Sequence, residues 1–384
     1  MVPALKPVLL LGPHGERPFS DTAIERELRA MWKAAVPERG AIYRAALANV
    51  IAPLDPDLHA PLDPVLAELT RRHPSRLFRI EHVAGRRPAA AGGDPRPGSA
   101  GDGAGAPIRA RATALCHVRP GGGGLVCSEQ IVLTADRGAA SLVPSAVASL
   151  LVGDLPVVLL RLDRERDPDR DAALEAISDI VLEDSSTRDD AEEMARLWKR
   201  VAGEGARRVH DIAWARLMPW RELLAEVFDQ PDAAAAAGEI QDVAIHHGGA
   251  APPAGAWLLA GWLASRFGWT PRERTGGRVR FDGRRRPVRV SFERDEDVRE
   301  PVTTAVRARS GAPAPLDVRI THRGRDAAAA VEFLAPSSRS IERTFRYREL
   351  AACLIGEIHR HEPNRTMERS AELAAALVAL PSRS

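Results

Sequence analysis

The chain has 384 residues, 45% of them hydrophobic and 28% charged, which is length for two domains with separate cores and excludes a disordered or membrane-embedded composition. Lys plus Arg (54) nearly equals Asp plus Glu (52), so a net charge of +2 excludes global attraction to nucleic acid or acidic membranes, and any basic site has to be local. Cys116, Cys127 and Cys353 form an odd set in keeping with a reducing compartment.

The start, MVPALKPVLLLGPHGERP, has only three leucines after Val8 before Gly12 and Pro13 interrupt them, and it lacks the cleavage pattern of an export signal. No apolar run reaches the roughly 18 residues that cross a bilayer. The expected location is cytoplasmic, with no membrane partner. Thr22-Ala-Ile-Glu25 reads as a capping box opening a helix whose stripe is Ile24, Leu28, Met31 and Trp32. AIYRAALANVIAP and SRLFRIEHV follow as apolar segments, the second a strand. Between Ala84 and Pro107, eighteen of 24 residues are Ala, Gly or Pro, so little apolar surface offsets the entropy of ordering them, and the segment reads as a flexible surface insertion.

IRARATALCHV and LVCSEQIVLTA, separated by Arg119-Pro120 and four glycines, predict a hairpin. Helices and strands then alternate: a helix over 140–151, strand LPVVLLRL, helix 172–176, strand DIVLED, helix 190–201, strand VHDIAWA, helix 219–228 and strand QDVAIHH. That alternation predicts an α/β fold with a mostly parallel sheet. After His247 come a Pro/Ala/Gly linker, the helical run AWLLAGWLASRFGW, and strands GRVRFDG, PVRVSF, LDVRITHRG and AAVEFLA, with closing helices over 348–360 and 366–380. This part is predicted to be smaller and α+β. The charged run Arg161–Asp171 marks the division, placed after residue 166, into regions 1–166 and 167–384.

Enzyme signatures are missing: no GxGxxG after a strand, no GxxxxGK[ST], no GxSxG and no HExxH. GPHGERP lacks the glycine spacing and lysine of a phosphate loop, and GGGG at 121–124 joins two strands, so both read as connections. Asp167, Asp169 and Asp171 resemble the start of a calcium loop, but Ala172 and Ser178 occupy its glycine and bidentate-acid positions. His246-His247 and His359/His361 lack companions at metal-site spacing and read as solvated or capping side chains. No catalytic residue, metal or cofactor is therefore assigned.

Cys116 and Cys127 lie opposite each other if the hairpin register centres on the glycines; a redox pair is one reading, and two small packed thiols is the favoured one. The hairpin RVRFDGRRRPVRV carries Arg278, Arg280, Arg284, Arg285, Arg286 and Arg289 with a single aromatic, Phe281, and five acids follow in ERDEDVRE. A solvated face is favoured over nucleic acid, which needs interleaved rings, and Arg284, Arg285 and Arg286 remain candidates for an acidic partner or an anion. In DIAWARLMPWRELLAEVFDQ, Trp220, Leu223, Leu224, Val227 and Phe228 line one helix face after Pro219. Trp220 is predicted as an anchor beneath the helix. Arg216 and Arg221 fall off that stripe and are the other candidates for partner contact.

The same stretch, with HPSRLFRI, CSEQIVLTA, LLVGDLPVVLL and WLLAGWLASRFGW in the same order over Leu28 to about Trp269, resembles the glucose-6-phosphate dehydrogenase assembly protein OpcA family. The chain departs from the family's pattern at Leu160-Arg161, where tryptophans are usual, and at Ser178-Asp179, where a basic pair is usual. The resemblance implies a non-enzymatic protein that binds glucose-6-phosphate dehydrogenase, affects its oligomeric assembly and activates it. The alternatives from other classes are a sugar-phosphate-binding protein using the arginine hairpin and a nucleic-acid-binding regulator.

Overall fold

Asp21–Ala34 forms the first helix, α1, whose cap lies two residues before the expected one. Ser20, not Thr22, is the N-cap: its carbonyl accepts from Ile24 N–H and its Oγ from Ala23 N–H. These details come from a computed structural model that describes residues 9–11, 15–34, 41–82, 107–118, 124–163, 167–188, 190–203, 208–300, 302–322, 328–335, 338–360 and 362–383. Nearly all of the predicted 84–107 insertion lies outside the described residues. The chain divides into two compact units, Met1–Leu182 and Glu183–Ser384.

In the first unit α1 follows the short strands β1 (Leu9–Leu11) and β2 (Arg17–Pro18). Next come β3 (Ala41–Arg44), β4 (Asn49–Leu54), α2 (His59–Arg72), β5 (Arg76–His82), β6 (Ile108–Val118) and β7 (Gly124–Ala135). The unit continues with α3 (Val143–Ala148), β8 (Val157–Arg161), α4 (Pro168–Ala176) and β9 (Ile180–Glu183). The helix α2 escapes the sequence reading because Pro61 and Pro64 punctuate it; Pro61 falls in the first turn, where a missing N–H costs least, whereas Pro64 lies inside the helix.

The strands follow the order β1-β6-β7-β5-β4-β8-β9, with β2 beside β6 and β3 beside β7. The pairs β3/β7, β4/β5, β4/β8 and β5/β7 are parallel, whereas β1, β2 and β7 all pair antiparallel with β6, so the sheet is mixed. Every residue of β4 is buried, as is Val157–Leu160, which fits inner parallel strands covered on both faces. The hairpin forms as predicted and sets Cys116 directly opposite Cys127, with Cα atoms 4.0 Å apart and the sulfurs bonded. The favoured reading of two free packed thiols is corrected: direct opposition in the ladder brings the sulfurs within bonding reach. Cys353 is free and buried. Asp167 caps α4 by accepting from Arg170 N–H, and Asp171 pairs with Arg161 and Arg170, so the calcium-like run is a helix start.

The second unit begins with α5 (Ala191–Ala202), β10 (Arg208–Asp211), α6 (Ile212–Arg216), α7 (Met218–Phe228), α8 (Pro231–Ala236), β11 (Ile240–His247) and α9 (Ala254–Phe267). Seven strands follow before any further helix, the first six being β12 (Thr270–Thr275), β13 (Arg278–Asp282), β14 (Pro287–Arg294), β15 (Thr303–Ser310), β16 (Leu316–His322) and β17 (Ala328–Ala335). The chain ends in β18 (Arg339–Thr344), α10 (Leu350–Ile358), α11 (Arg365–Ala379) and β19 (Ser382–Arg383). VHDIAWA is thus not one strand, since it turns helical at Asp211. The second sheet has the order β18-β17-β16-β15-β11-β14-β13-β12-β19, so QDVAIHH sits at its centre rather than in the first sheet. Only the β11/β14 and β12/β19 pairs are parallel.

One face of this sheet is apolar at every second residue: Val243, Ile245, Val279, Phe281, Val290, Val306, Val318 and Phe333 are buried. They share one core with Trp198, Trp214, Trp220 and the apolar sides of α9 and α11. Gly261 allows α11 to approach α9, because a Cβ there would lie 2.4 Å from the Ser370 carbonyl. Among the described residues no helix is long and apolar enough to cross a membrane.

Candidate partner-binding site

Asp211 ends β10 and N-caps α6, and its carboxylate is the centre around which the opening of this region folds. Oδ1 accepts from the N–H of Ser185 at 3.0 Å and of Ala213 at 3.0 Å; Oδ2 accepts from Ser185 Oγ at 2.6 Å and Trp198 Nε1 at 3.0 Å. Complete burial, and then the neighbouring charge of Asp184, push the carboxyl up to about 6, against the pull of the Ser185 and Trp198 hydrogen bonds. Asp184 is itself buried and accepts from Ser186 N–H and Oγ at 3.0 and 2.6 Å.

Arg216, at the end of α6, closes this network. Its Nη1 lies 2.7 Å from Asp184 Oδ2 and donates to Ser186 Oγ at 2.6 Å, while 31% of the side chain stays exposed. Arg221 is not on an open face. Its guanidinium stacks 3.7 Å from the centroid of the Trp214 indole and Nη2 donates to the Trp214 carbonyl at 3.4 Å. Burial brings its pKa down to about 10, with Glu357 opposing and Arg360 and Arg348 adding to the effect. Trp220, Leu223, Leu224 and Val227 are buried as the α7 stripe predicts and Phe228 partly so, but α6 turns back over the other side of that helix and covers Arg221.

Trp220 is fully buried and meets Phe345 edge to face at 5.1 Å, as its place on the apolar stripe predicts. Beside the arginines, His210 Nδ1 lies 2.8 Å from Glu357 Oε2, and Arg360 lies 3.3 Å from the same oxygen. Burial pushes the Glu357 carboxyl up, but His210 and Arg360 outweigh it and hold the group below its ordinary value.

The hairpin arginines form a separate group. Arg285 and Arg286 reach the buried Glu239 at 2.7 and 3.2 Å, and Arg286 also donates to the Ala312 carbonyl at 3.0 Å. These bonds fasten the turn between β13 and β14. Arg284 is exposed beside Gly268, whose φ of 71° ends α9 in the left-handed conformation that glycine adopts freely. Arg280 pairs with Glu273 and Arg289 with Asp242, so the acids opposing the stripe stand on neighbouring strands rather than in ERDEDVRE. His247 is buried, with Nδ1 2.9 Å from the Gly248 carbonyl, and His246 is 22% exposed and held below its usual pKa by burial; neither is a freely solvated cap. Among the described residues no group of three or more His, Cys, Asp or Glu side chains is arranged to hold a metal.

The Asp211 network was missed by sequence reasoning, although an Asp between a strand and a helix carries an N-cap signal that could have found it. What the arrangement offers chemically is recognition: a fixed, partly exposed guanidinium at Arg216, suited to bidentate pairing with carboxylates.

Comparison with known proteins places this geometry in context. Residues 67–200 match the model of a glucose-6-phosphate dehydrogenase subunit N-terminal domain, and residues 207–371 match that of the corresponding C-terminal domain. A Nostoc punctiforme protein named as an OxPP cycle protein, OpcA, is 34% identical over 43% of this chain and 35% of its own length. One of the same name from Synechocystis is 30% identical over 43% of this chain and 34% of its own. The matched part thus spans about a third of these relatives. A solved oxidoreductase from Thermotoga maritima superposes over 86% of this chain and 96% of its own, with 11% identity and a TM-score of 0.43, a likeness too low to carry any argument. With both domain models matched in succession, the chain belongs to the OpcA family.

Proposed function

We propose that this chain is a non-catalytic assembly factor that binds glucose-6-phosphate dehydrogenase and promotes its active oligomer, working in the cytoplasm without a cofactor. The observation that carries this reading is the succession of the two matched domains, each described as part of a glucose-6-phosphate dehydrogenase subunit, over most of the chain. Arg216 is the leading contact, because Asp184 and Ser186 hold it in place before a partner arrives, which reduces the side-chain entropy lost on binding. Exposed Arg284, Arg285 and Arg286 are the second contact, and Arg221 supports the first by fixing the Trp214 side of α6.

The test mixes the full chain with the dehydrogenase of the same organism and follows oligomer size by light scattering alongside reaction rate. A larger dehydrogenase assembly with a raised rate is the expected result. Two independently migrating proteins with an unchanged rate at micromolar concentrations overturn the proposal.

A further inference from the structure

The charged face of the nine-stranded sheet bears a groove of about 460 Å³ across β11, β12, β13 and β14. That volume lies in the small-ligand range of roughly 300–1,000 Å³. Period-two alternation turns Val279, Phe281, Val288 and Val290 to the core and leaves Arg278, Arg280 and Arg289 in or beside the groove. Arg280 stands directly opposite Arg289 in the antiparallel ladder, a like-charge pairing that costs stability unless something negative is near. Each is drawn aside by its own carboxylate, Arg280 to Glu273 at 3.1 Å and Arg289 to Asp242 at 3.2 Å. Arg278, two residues along the same face from Arg280, is exposed and makes no ion pair among the described residues.

Arg286 closes the groove's end but is held by Glu239, so three arginines, Arg278, Arg280 and Arg289, face the two carboxylates Asp242 and Glu273 and leave a positive excess. We infer that this groove binds a small phosphate monoester bearing hydroxyl groups, whose phosphate sits among Arg278, Arg280 and Arg289 while its hydroxyls donate to Asp242 and Glu273. The positive excess favours an anion, and guanidinium groups suit phosphate oxygens in paired hydrogen bonds. The two carboxylates distinguish this ligand from its competitors. An acidic peptide would meet them as like charges, and a single-stranded nucleic acid would find no aromatic ring in the lining on which to stack.

The inference does not depend on the dehydrogenase reading, and the test leaves Arg286 alone because that residue belongs to the proposed partner contact. Glycerol phosphate, inorganic phosphate and glycerol are each titrated calorimetrically into the full chain at constant ionic strength. Saturable binding is expected for glycerol phosphate, weaker binding for inorganic phosphate and none for glycerol. Arg278→Ala and Arg289→Ala each weaken glycerol phosphate binding by about tenfold without lowering the melting temperature, the loss expected for one charged hydrogen-bonded contact. Asp242→Asn narrows the preference for glycerol phosphate over inorganic phosphate. Arg343→Ala, which removes an ion pair to Glu226 elsewhere in the unit, leaves binding unchanged. Equal affinity for both phosphates with no effect of Asp242→Asn overturns the inference, as do unaltered binding in the arginine variants, no binding at about 10 mM ligand, and tighter binding of an acidic peptide than of glycerol phosphate.

Discussion

Two buried carboxylates, one in each unit, solve the same problem with different partners. Glu129 in β7 accepts from the indole of Trp32 at 2.9 Å, and Asp211 accepts from the indole of Trp198 at 3.0 Å. Glu129 is otherwise met by charge: Arg76 approaches Oε2 at 2.7 Å and Arg44 approaches Oε1 at 2.6 Å. Asp211 is otherwise met by the neutral donors of Ser185 and Ala213. A charged partner offsets the loss of hydration for both ionised groups, whereas dipoles offset it only in part, so Asp211 has its carboxyl raised and becomes a group that titrates near neutrality. The second arrangement is thereby sensitive to pH.

The largest effect is expected from removing the charge that fastens Glu129. Arg76 and Glu129 have side chains only 3% and 2% exposed, and Arg76 also holds Glu25 at 2.7 Å and donates to the Leu150 carbonyl at 2.6 Å. Arg76→Ala leaves a buried carboxylate short of its main counterion and is expected to cost about 3–5 kcal/mol in urea unfolding of the first unit. A second variant sharpens the point: adding Glu129→Leu to Arg76→Met should recover much of the loss, because the uncompensated charge is then gone. If Arg76→Ala alone melts like the parent, charge compensation is not what holds this centre.

Asp211 predicts the opposite dependence on its surroundings. Its ordinary value is 3.8 and its folded value about 6, so the folded state holds the proton more tightly than the unfolded chain. The stabilisation that proton binding gives is complete below pH 3.8 and is lost as pH rises through 6; above that the ionised group carries a constant penalty of about 3 kcal/mol. Glu357, held below its ordinary value, works in the reverse sense and loses its contribution as pH falls. The comparison is therefore between the parent and Asp211→Asn. The amide is less stable throughout because two donors face its NH2 position, but the fall in stability between pH 4 and 6 should be shallower in it. Parallel curves for the two proteins would remove Asp211 from the account.

What the sequence disclosed follows the range of the interactions involved. Period-two alternation around Val279 and Phe281, and the stripe through Trp220 and Val227, are set by residues two to eight apart, so the sheet faces and the buried tryptophan could be read directly. The cysteine pairing depended on a register that local pattern left open. The carboxylate centres could not be read, because Ser185 is 26 residues from Asp211 and Arg76 is 53 from Glu129. Arg285 looked like a free cation for the same reason: its acid, Glu239, is 46 residues away. Arg221 differs: its own helix follows from the local pattern, but the helix that covers it begins within VHDIAWA, a run that reads as a strand.

The smallest stability effect is expected at Arg216, and it couples the candidate contact to the pH-sensitive centre. Its pair with Asp184 is about a third exposed on the arginine side, so solvent screening limits the ionic contribution to about 1 kcal/mol or less. Arg216 nevertheless offsets the Asp184 charge, and that charge is the second cause raising Asp211. Arg216→Ala should therefore move the Asp211 titration to higher pH while changing the melting temperature near pH 4 very little. In the proposed complex the arginine is shared with a partner carboxylate, so the same variant should weaken dehydrogenase binding, more at low ionic strength than at high. Stability curves from pH 4 to 8 and a binding titration at two salt concentrations read both effects. A shifted titration with unchanged binding would leave Arg216 as a support for Asp184 alone, and weakened binding with an unshifted titration would show that the two buried aspartates do not communicate through it.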